Sequence, residues 1–235
     1  MEILGVRVDN LEKKELLEKV AGFLDSNSFH QIATVNPEFI LEAQKDKEFR
    51  NVLNECDLNV ADGMGIWFSY FRFGKILKCR MAGADLMLEI LKMANEKKLK
   101  IFLAVNGRGL SSWQKTSIAI KKIYSDIEID GDNIDAKDTR YKIQDTRYDI
   151  VFCNFGAPEQ EKFLHSLKSI NGSKIKLAMG VGGSFDYLTG KIKRAPKWMR
   201  KMGIEWLWRL ILQPKRIKRI FNAVIIFPIK VILNK

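Results

Sequence analysis

The chain is poor in the side chains that metal and disulfide chemistry require. Its 235 residues include two histidines, His30 and His165, and three cysteines, Cys56, Cys79 and Cys153. The cysteines are odd in number, widely spaced and lack a CxxC pair. That argues against a disulfide framework or zinc site and for a reducing compartment. Two distant histidines argue against a histidine-based metal cluster. No GxSxG occurs, and the histidines are badly placed for a Ser-His-Asp triad. No GxxxxGK[ST] occurs, so there is no P-loop, and no clean GxGxxG follows the first strand, so a nicotinamide cofactor is not indicated. The start, MEILGVRVDN, lacks the basic and apolar regions of a signal peptide.

One further absence is local. Residues 191–235 hold thirteen Lys and Arg but one acid, Glu205. Residues 1–190 hold 27 basic and 27 acidic residues, so the whole net charge of +12 sits in the last 45 residues. A neutral body and a basic tail are different physical objects, and the tail attracts a polyanion, either nucleic acid or an anionic membrane face. Three of the five tryptophans, Trp198, Trp206 and Trp208, fall in it. Pro196, Pro214 and Pro228 are expected to break it into short helices. Its longest apolar stretch, Ala223 to Leu233, is about half the ~20 residues that cross a bilayer. Trp and Lys/Arg beside apolar faces suit a helix lying in the membrane interface. The plainer alternative is that these helices pack on the body with solvated cations.

The body, 46% of the whole chain being hydrophobic, alternates strand and helix patterns. Strands are expected at 3–8, 31–35, 58–61, 100–105, 127–130, 148–155 and 174–182. Helices are expected at 11–25, after Pro37 with Asn36 as N-cap, and at 85–98, 110–124 and 158–169. Residues 135–147 read as a loop or short helix. The alternation predicts an α/β fold, a mostly parallel sheet flanked by helices over 1–190, with a helical appendage over 191–235.

Ligands of open α/β sheets bind at the carboxyl ends of strands. Five strand ends carry suitable groups: Thr34 and Asn36; Asp62; Asn106 to Gly109; Asn154, Gly156 and the helix start Pro158-Glu159-Gln160; and Gly180, Gly182, Gly183 and Ser184. Glycine turns before helices expose N–H groups that favour phosphate, although glycine often only ends a strand. Asp62, in NVADGMGIW, has three readings. It caps the next helix, or holds a metal for which it lacks nearby partners, or takes a proton from a hydroxyl above the glycines. On the residues alone the cap comes first. Asp130-Gly131-Asp132 has the DxD form of metal-dependent sugar-nucleotide transferases, but such acidic segments are usually plain turns, which is the expectation here.

TVNPEF (34–39), ADGMGIW (61–67), RMAGADL (80–86), FGAPEQEKF (155–163), GVGGSFDYLTGKIKRAPKW (180–198) and GIEWLWRLILQPKR (203–216) occur in that order. Together they resemble the WecG/TagA/CpsF family of bacterial glycosyltransferases, from about residue 3 to about 221. The resemblance implies a Rossmann-like domain whose C-terminal appendage completes the site at the membrane. It implies an inverting, metal-independent transferase without cofactor. The donor is a UDP-sugar, most often of N-acetylmannosamine, with uronic acid or hexose donors among relatives. The acceptor is a sugar, N-acetylglucosamine, on a polyprenyl diphosphate at the cytoplasmic membrane face. The products feed teichoic acid, common antigen or capsule. Carried over by position, Asp62 matches the base. Thr34, Asn36, Arg80 and Gln160 match substrate-binding residues, and Arg209, Arg216 and Arg219 match arginines that reach diphosphate. Asn106 and Gly182 join the substrate set as strand-end groups. No metal ligand is expected.

The expected partners are thus a UDP-sugar, the lipid-diphosphate acceptor and an anionic membrane bound through the tail, with Ala223 to Leu233 suited to a membrane dip or a subunit contact in a homo-oligomer. The placement is peripheral, on the inner face of the cell membrane. Tail ordering by the membrane is expected to make the enzyme most competent. Three rivals stay open on residues alone: a basic-tailed nucleic-acid-binding protein, an oxidoreductase with a docking tail, and a sugar-nucleotide sensor without turnover.

Overall fold

The structure is a computed structural model and describes residues 1–136, 147–170 and 174–234. Most of the expected polar loop at 135–147 therefore lies outside the described residues. The chain runs through β1 (Glu2–Ile3), β2 (Val6–Arg7), α1 (Lys13–Asp25), β3 (His30–Val35), α2 (Pro37–Ala43), α3 (Lys47–Glu55) and β4 (Leu58–Ala61). It continues through α4 (Met64–Arg72), α5 (Gly83–Glu96), β5 (Lys100–Asn106), α6 (Trp113–Lys121), β6 (Glu128–Ile134), β7 (Ile150–Cys153), α7 (Glu159–Ser166), β8 (Leu177–Gly180) and α8 (Ser184–Leu188).

Six strands form one sheet in the order β4-β3-β8-β7-β5-β6. All five pairings are parallel. The α/β expectation thus holds. Side chains alternate across the sheet as the two-residue period demands. Ile101, Leu103 and Val105 of β5 join Leu16, Ile90 and Ile120 in one core layer, whereas Phe102 and Ala104 join Leu164 of α7 in another. Helices α1, α5 and α6 therefore cover one face. A third cluster, holding Ala33, Val35, Phe39, Phe49 and Ile66, lies under α2, α3 and α4.

Three local expectations need correction. The stretch 3–8 is not one strand of the main sheet. Leu4 and Gly5 both take positive φ, 48° and 78°, the turn that closes a two-residue hairpin, and Ile3 pairs antiparallel with Val6. Asp130-Gly131-Asp132 is not a turn. It lies inside β6, where Phe102 to Ala104 of β5 pair with it. A Cβ on Gly131 would stand 2.6 Å from the Leu103 carbonyl oxygen, so glycine allows the close strand approach. Finally, Pro228 does not break the last helix.

The tail folds as α9 (Lys197–Met202), α10 (Glu205–Leu212), a 3-10 turn (Pro214–Arg216), α11 (Ile217–Phe221), a π-helical turn (Asn222–Ile226) and α12 (Phe227–Leu233). Pro196 and Pro214 do mark breaks. Pro228 instead is the second residue of α12, just after the π-turn. Proline removes a helical N–H and crowds the carbonyl four residues back, and the wider π-turn takes up that crowding. Phe227 and Val231 are fully buried in the α2–α4 cluster, so this end of the tail is part of the core.

Candidate active site

The carboxyl ends of β3, β4, β8, β7 and β5 open into one cleft of about 420 Å³, roofed by the tail. That volume lies in the small-molecule range. Thr34, Asn36, Asp62, Arg80, Asn106, Gln160, Gly182, Arg209, Arg216 and Arg219 all line it. The fold thus brings these ten residues to one place. It does not give each the expected task.

Asn36 caps α2 as its sequence predicted. Its Oδ1 accepts from the Glu38 and Phe39 N–H groups at 3.0 and 3.1 Å. Thr34, nearly buried, sits under the start of α5, where a Cβ on Gly83 would lie 2.9 Å from its Oγ1. Asp62 follows β4 directly. It is not the cap of α4: that position is Gly63, at φ 87°, and no side chain caps the helix. The Asp62 carboxylate instead lies near the Gly83 N–H at the start of α5, which pulls its pKa down. The glycines that follow it serve shape. Gly63 supplies the positive φ, and Gly65 lets the first turn of α4 press against Pro37 and Phe227.

Gln160 is 2% exposed, and both polar atoms of its carboxamide are engaged by protein. Its Oε1 accepts from the Gly156 N–H at 3.1 Å and the Gly182 N–H at 3.2 Å. Its Nε2 donates to Glu161 Oε1 at 2.6 Å. Gln160 thus ties together the two loops that follow β7 and β8. The Gly156 and Gly182 N–H groups expected to cradle phosphate are spent on that tie. Asn106 similarly shapes its own turn, accepting from Arg108 N–H at 3.0 Å and donating its backbone N–H to Asn154 Oδ1 at 2.7 Å.

The wall facing Asp62 is cationic. Arg80 donates to the Arg200 carbonyl at 2.9 Å. Arg219 pairs with Glu38, its Nε at 2.9 Å. Arg209 pairs with Glu205 at 3.6 Å, one helical turn away. Arg216 has no side-chain hydrogen bond or ion pair among the described residues, and burial, then Arg219 and Arg209, push its pKa down. A guanidinium crowded by two others and left unpaired is a site for an anion. Asp62 is the counterpart. Burial pushes its pKa up to about 6, with Glu205 adding, while Arg209, the Gly83 N–H and Arg80 pull it down.

Asp130 and Asp132 lie away from this cleft, and Tyr148 donates to Asp130 at 2.8 Å. Among the described residues no three His, Cys, Asp or Glu side chains form a metal-binding group.

The model of the glycosyl transferase WecG/TagA/CpsF family matches residues 1–235. The chain belongs to that family. This glycosyltransferase is similar to curated N-acetylglucosaminyldiphosphoundecaprenol N-acetyl-beta-D-mannosaminyltransferases. The protein of Bacillus subtilis (strain 168) is 34% identical over 92% of this chain and 81% of its own length. That of Staphylococcus aureus (strain MRSA252) is 32% identical over 98% and 91%.

Several residues around this cleft escaped sequence reasoning. Asp85, in the first turn of α5, holds Arg194 by two bonds of 2.7 and 2.8 Å. Tyr187 lies beneath Arg194 and Arg209. Glu161 is buried behind Gln160. All stand inside the family motifs, but nothing in their spacing marks them, because the contacts of Asp85 with Arg194 and of Tyr187 with Arg194 and Arg209 join different elements and are set by the fold.

Proposed function

We propose that this transferase moves N-acetylmannosamine from a UDP donor to N-acetylglucosamine on a polyprenyl diphosphate, with inversion and without a metal ion, for a wall polymer of the teichoic acid type. One observation carries the reading: one cleft is lined both by Asp62, a carboxylate whose pKa burial raises, and by Arg216, a guanidinium with no side-chain hydrogen bond or ion pair among the described residues. The relatives are named for β-linked transfer to a lipid-linked N-acetylglucosamine. Nucleotide sugars of this kind are ordinarily α-linked, so a β product requires one in-line displacement and one base.

Asp62 takes the proton from the attacking hydroxyl. A carboxylate raised to about 6 is a stronger base than an exposed aspartate and is still mostly ionised at neutral pH. As the anomeric carbon–oxygen bond breaks, charge grows on the departing diphosphate. Arg209, Arg216 and Arg219 supply cationic donors on that side, and arginine grips phosphate through two parallel bonds. These cations do the work that a divalent ion does in DxD enzymes. The uncapped first turn of α4 adds backbone N–H groups. Thr34 and Asn36 line the cleft beside Asp62 and contact the sugars, while Gln160 shapes the floor.

The enzyme works peripherally, on the anionic inner membrane face. No helix among the described residues is long and apolar enough to cross a membrane. The tail combines its cations with exposed Trp198, Ile211, Ile217 and Leu233, a pattern suited to the interface. The test is UDP release from UDP-N-acetylmannosamine with a lipid-diphosphate-N-acetylglucosamine acceptor in EDTA. Parent turnover, lost in a folded Asp62→Asn variant, is expected. Equal turnover in both proteins overturns Asp62 as base, and no parent turnover overturns the donor–acceptor pair.

A further inference from the structure

Tyr187 lies on α8 and does not line the cleft. Two guanidinium groups from the wall nevertheless sit over its ring, Arg209 at 5.4 Å from the centroid and Arg194 at 6.0 Å. Its hydroxyl donates to Glu205 Oε1 at 3.5 Å, and that carboxylate pairs with Arg209 at 3.6 Å. Arg194 is held from the other side by Asp85, with Arg200 a further 3.5 Å contact. A continuous chain of contacts thus leads from α5 through Arg194, Tyr187 and Arg209 to the neighbourhood of Asp62.

We propose that Tyr187 is a positioning residue, whose ring seats the Arg209 guanidinium beside Asp62 and so sets the charge that the base experiences. The proposal rests on Asp62 being the base. The need for such a seat follows from α10. No residue of this helix is buried, so core packing does not select the rotamer of Arg209. A long arginine on a surface helix loses much entropy when fixed. A partly desolvated aromatic face attracts a guanidinium through its quadrupole, which favours one arrangement over the rest. Two cations at one ring would repel each other. Asp85 and Glu205 neutralise one each, which lets both remain.

The groups that face Asp62 come from three places. Arg209 and Glu205 project from α10, Arg80 comes from the loop before α5, and the Gly83 N–H opens α5. Of these four, Arg209 and Glu205 touch Tyr187. Removing the ring therefore changes the α10 contribution and leaves Arg80 and Gly83 in place. Arg209 lowers the Asp62 pKa, so losing its seat raises it.

The test uses the full chain with aspartate labelled with carbon-13 at the carboxyl carbon. The resonance missing in Asp62→Asn identifies Asp62, and its midpoint is read by titration. Tyr187→Leu is expected to raise the midpoint by about half a pH unit or more. Tyr187→Phe, which keeps the ring, is expected to titrate with the parent. Tyr187→Met fills the same space without a π face and repeats the test should Leu fail to fold. An unmoved or lowered midpoint in a folded ring-less variant overturns the proposal, as does a Phe variant that shifts like Leu. A purely structural tyrosine would lower Tm and leave the midpoint alone. The titration needs no turnover, so a wrong donor or acceptor leaves it readable. Where turnover is measured, Arg209→Lys and Tyr187→Leu are expected to be non-additive, because both remove one stacked pair. Additive losses count against the proposal.

Discussion

Gly65 of α4 faces Phe227 of α12 so closely that a Cβ on the glycine would stand 3.2 Å from the aromatic ring. Phe227 is fully buried among Ile40, Ile66 and Tyr70. The far end of a basic tail thus reaches back into the body and shares its core. Phe227→Ala is expected to destabilise the whole protein by ~3–5 kcal/mol in chemical unfolding, the cost of a deleted core aromatic. A separate, loosely attached tail would instead give a change close to zero. Deleting the tail therefore removes core as well as charge, and cannot by itself test whether a membrane orders the site. Ile229→Ser and Leu233→Ser change exposed positions. They are expected to alter stability by roughly 0.5 kcal/mol at most while lowering activity on acceptor carried in anionic vesicles.

Where a feature depends on local pattern, the sequence showed it. The helix spanning Gly83–Glu96 buries Met87, Ile90, Leu91 and Ala94, which is the spacing that announces a helix, and Asn36-Pro37 marks the start of α2. The cleft residues were legible because strand ends converge by topology and the motifs carry polar groups there. Features set by geometry were not. Asp62 looks like a cap by its place before α4, yet the positive φ of Gly63 gives the cap position to the glycine and leaves the carboxylate to Gly83 of another helix. The DGD segment looks like a turn by composition, yet the edge of β5 pairs with it as strand. Gln160 looks like a ligand for substrate, yet its Oε1 is engaged by the loops at Gly156 and Gly182 and its Nε2 by Glu161. Such partners are fixed by folding, and no spacing rule predicts them.

Asp62 ties activity and stability to pH in opposite senses. As the proposed base it must be ionised, so kcat is expected to fall as the pH drops below about 6. For stability the sign runs the other way. Its pKa is raised on folding from 3.8 to about 6, so the folded protein holds this proton more tightly. The stabilisation is complete below the unfolded pKa and is lost as pH rises through the folded one. Asp62→Asn is thus expected to be more stable than the parent at pH 7, by at most ~3 kcal/mol, although transfer is lost. Thermal melts from pH 4 to pH 7 check this, and a variant less stable than the parent at neutral pH contradicts it.

Arg216 lines the cleft with no side-chain hydrogen bond or ion pair among the described residues. Arg216→Ala is expected to lower kcat by about 100-fold, the order of loss when one donor to a developing oxyanion is removed. Arg216→Lys should recover only part of that, since a point charge lacks the two-pronged geometry. Stability should rise slightly, because three crowded cations become two. Steady-state kinetics with UDP inhibition separates the roles: weaker UDP binding in both variants is expected.

Asp85 accounts for the seating of the segment between α8 and α9. Its two bonds to Arg194 are charge-assisted, and a bond of that kind contributes ~1.5–3 kcal/mol when intact. Asp85→Ala leaves the partly buried Arg194 without its carboxylate, with only the Tyr187 ring beside it. A stability loss of roughly 2 kcal/mol is expected, with a fall in kcat/KM. Asp85→Asn keeps one acceptor and should lie between the two. Equal kinetics for all three proteins would separate this clamp from catalysis.

Glu161 sets an alkaline limit. It is 1% exposed, and its Oε2 has no partner among the described residues, nor has the Oε1 of buried Gln31. Burial pushes its pKa up to about 8 against an ordinary value of 4.5, with only the Gln160 bond and a backbone bond opposing. Glu161 is therefore protonated at neutral pH and holds Gln160 as a neutral acid. The folded pKa lies above the unfolded one, so its stabilisation is complete below pH 4.5 and is lost progressively as pH rises through about 8. Above that, the site contains a buried carboxylate with nothing to neutralise it. Glu161→Gln keeps an acceptor for Gln160 and cannot ionise. Its Tm should match or exceed that of the parent at pH 6 and exceed it more widely at pH 9. A parent-to-variant difference that does not change between these pH values would mean that Glu161 stays ionised inside the folded protein throughout.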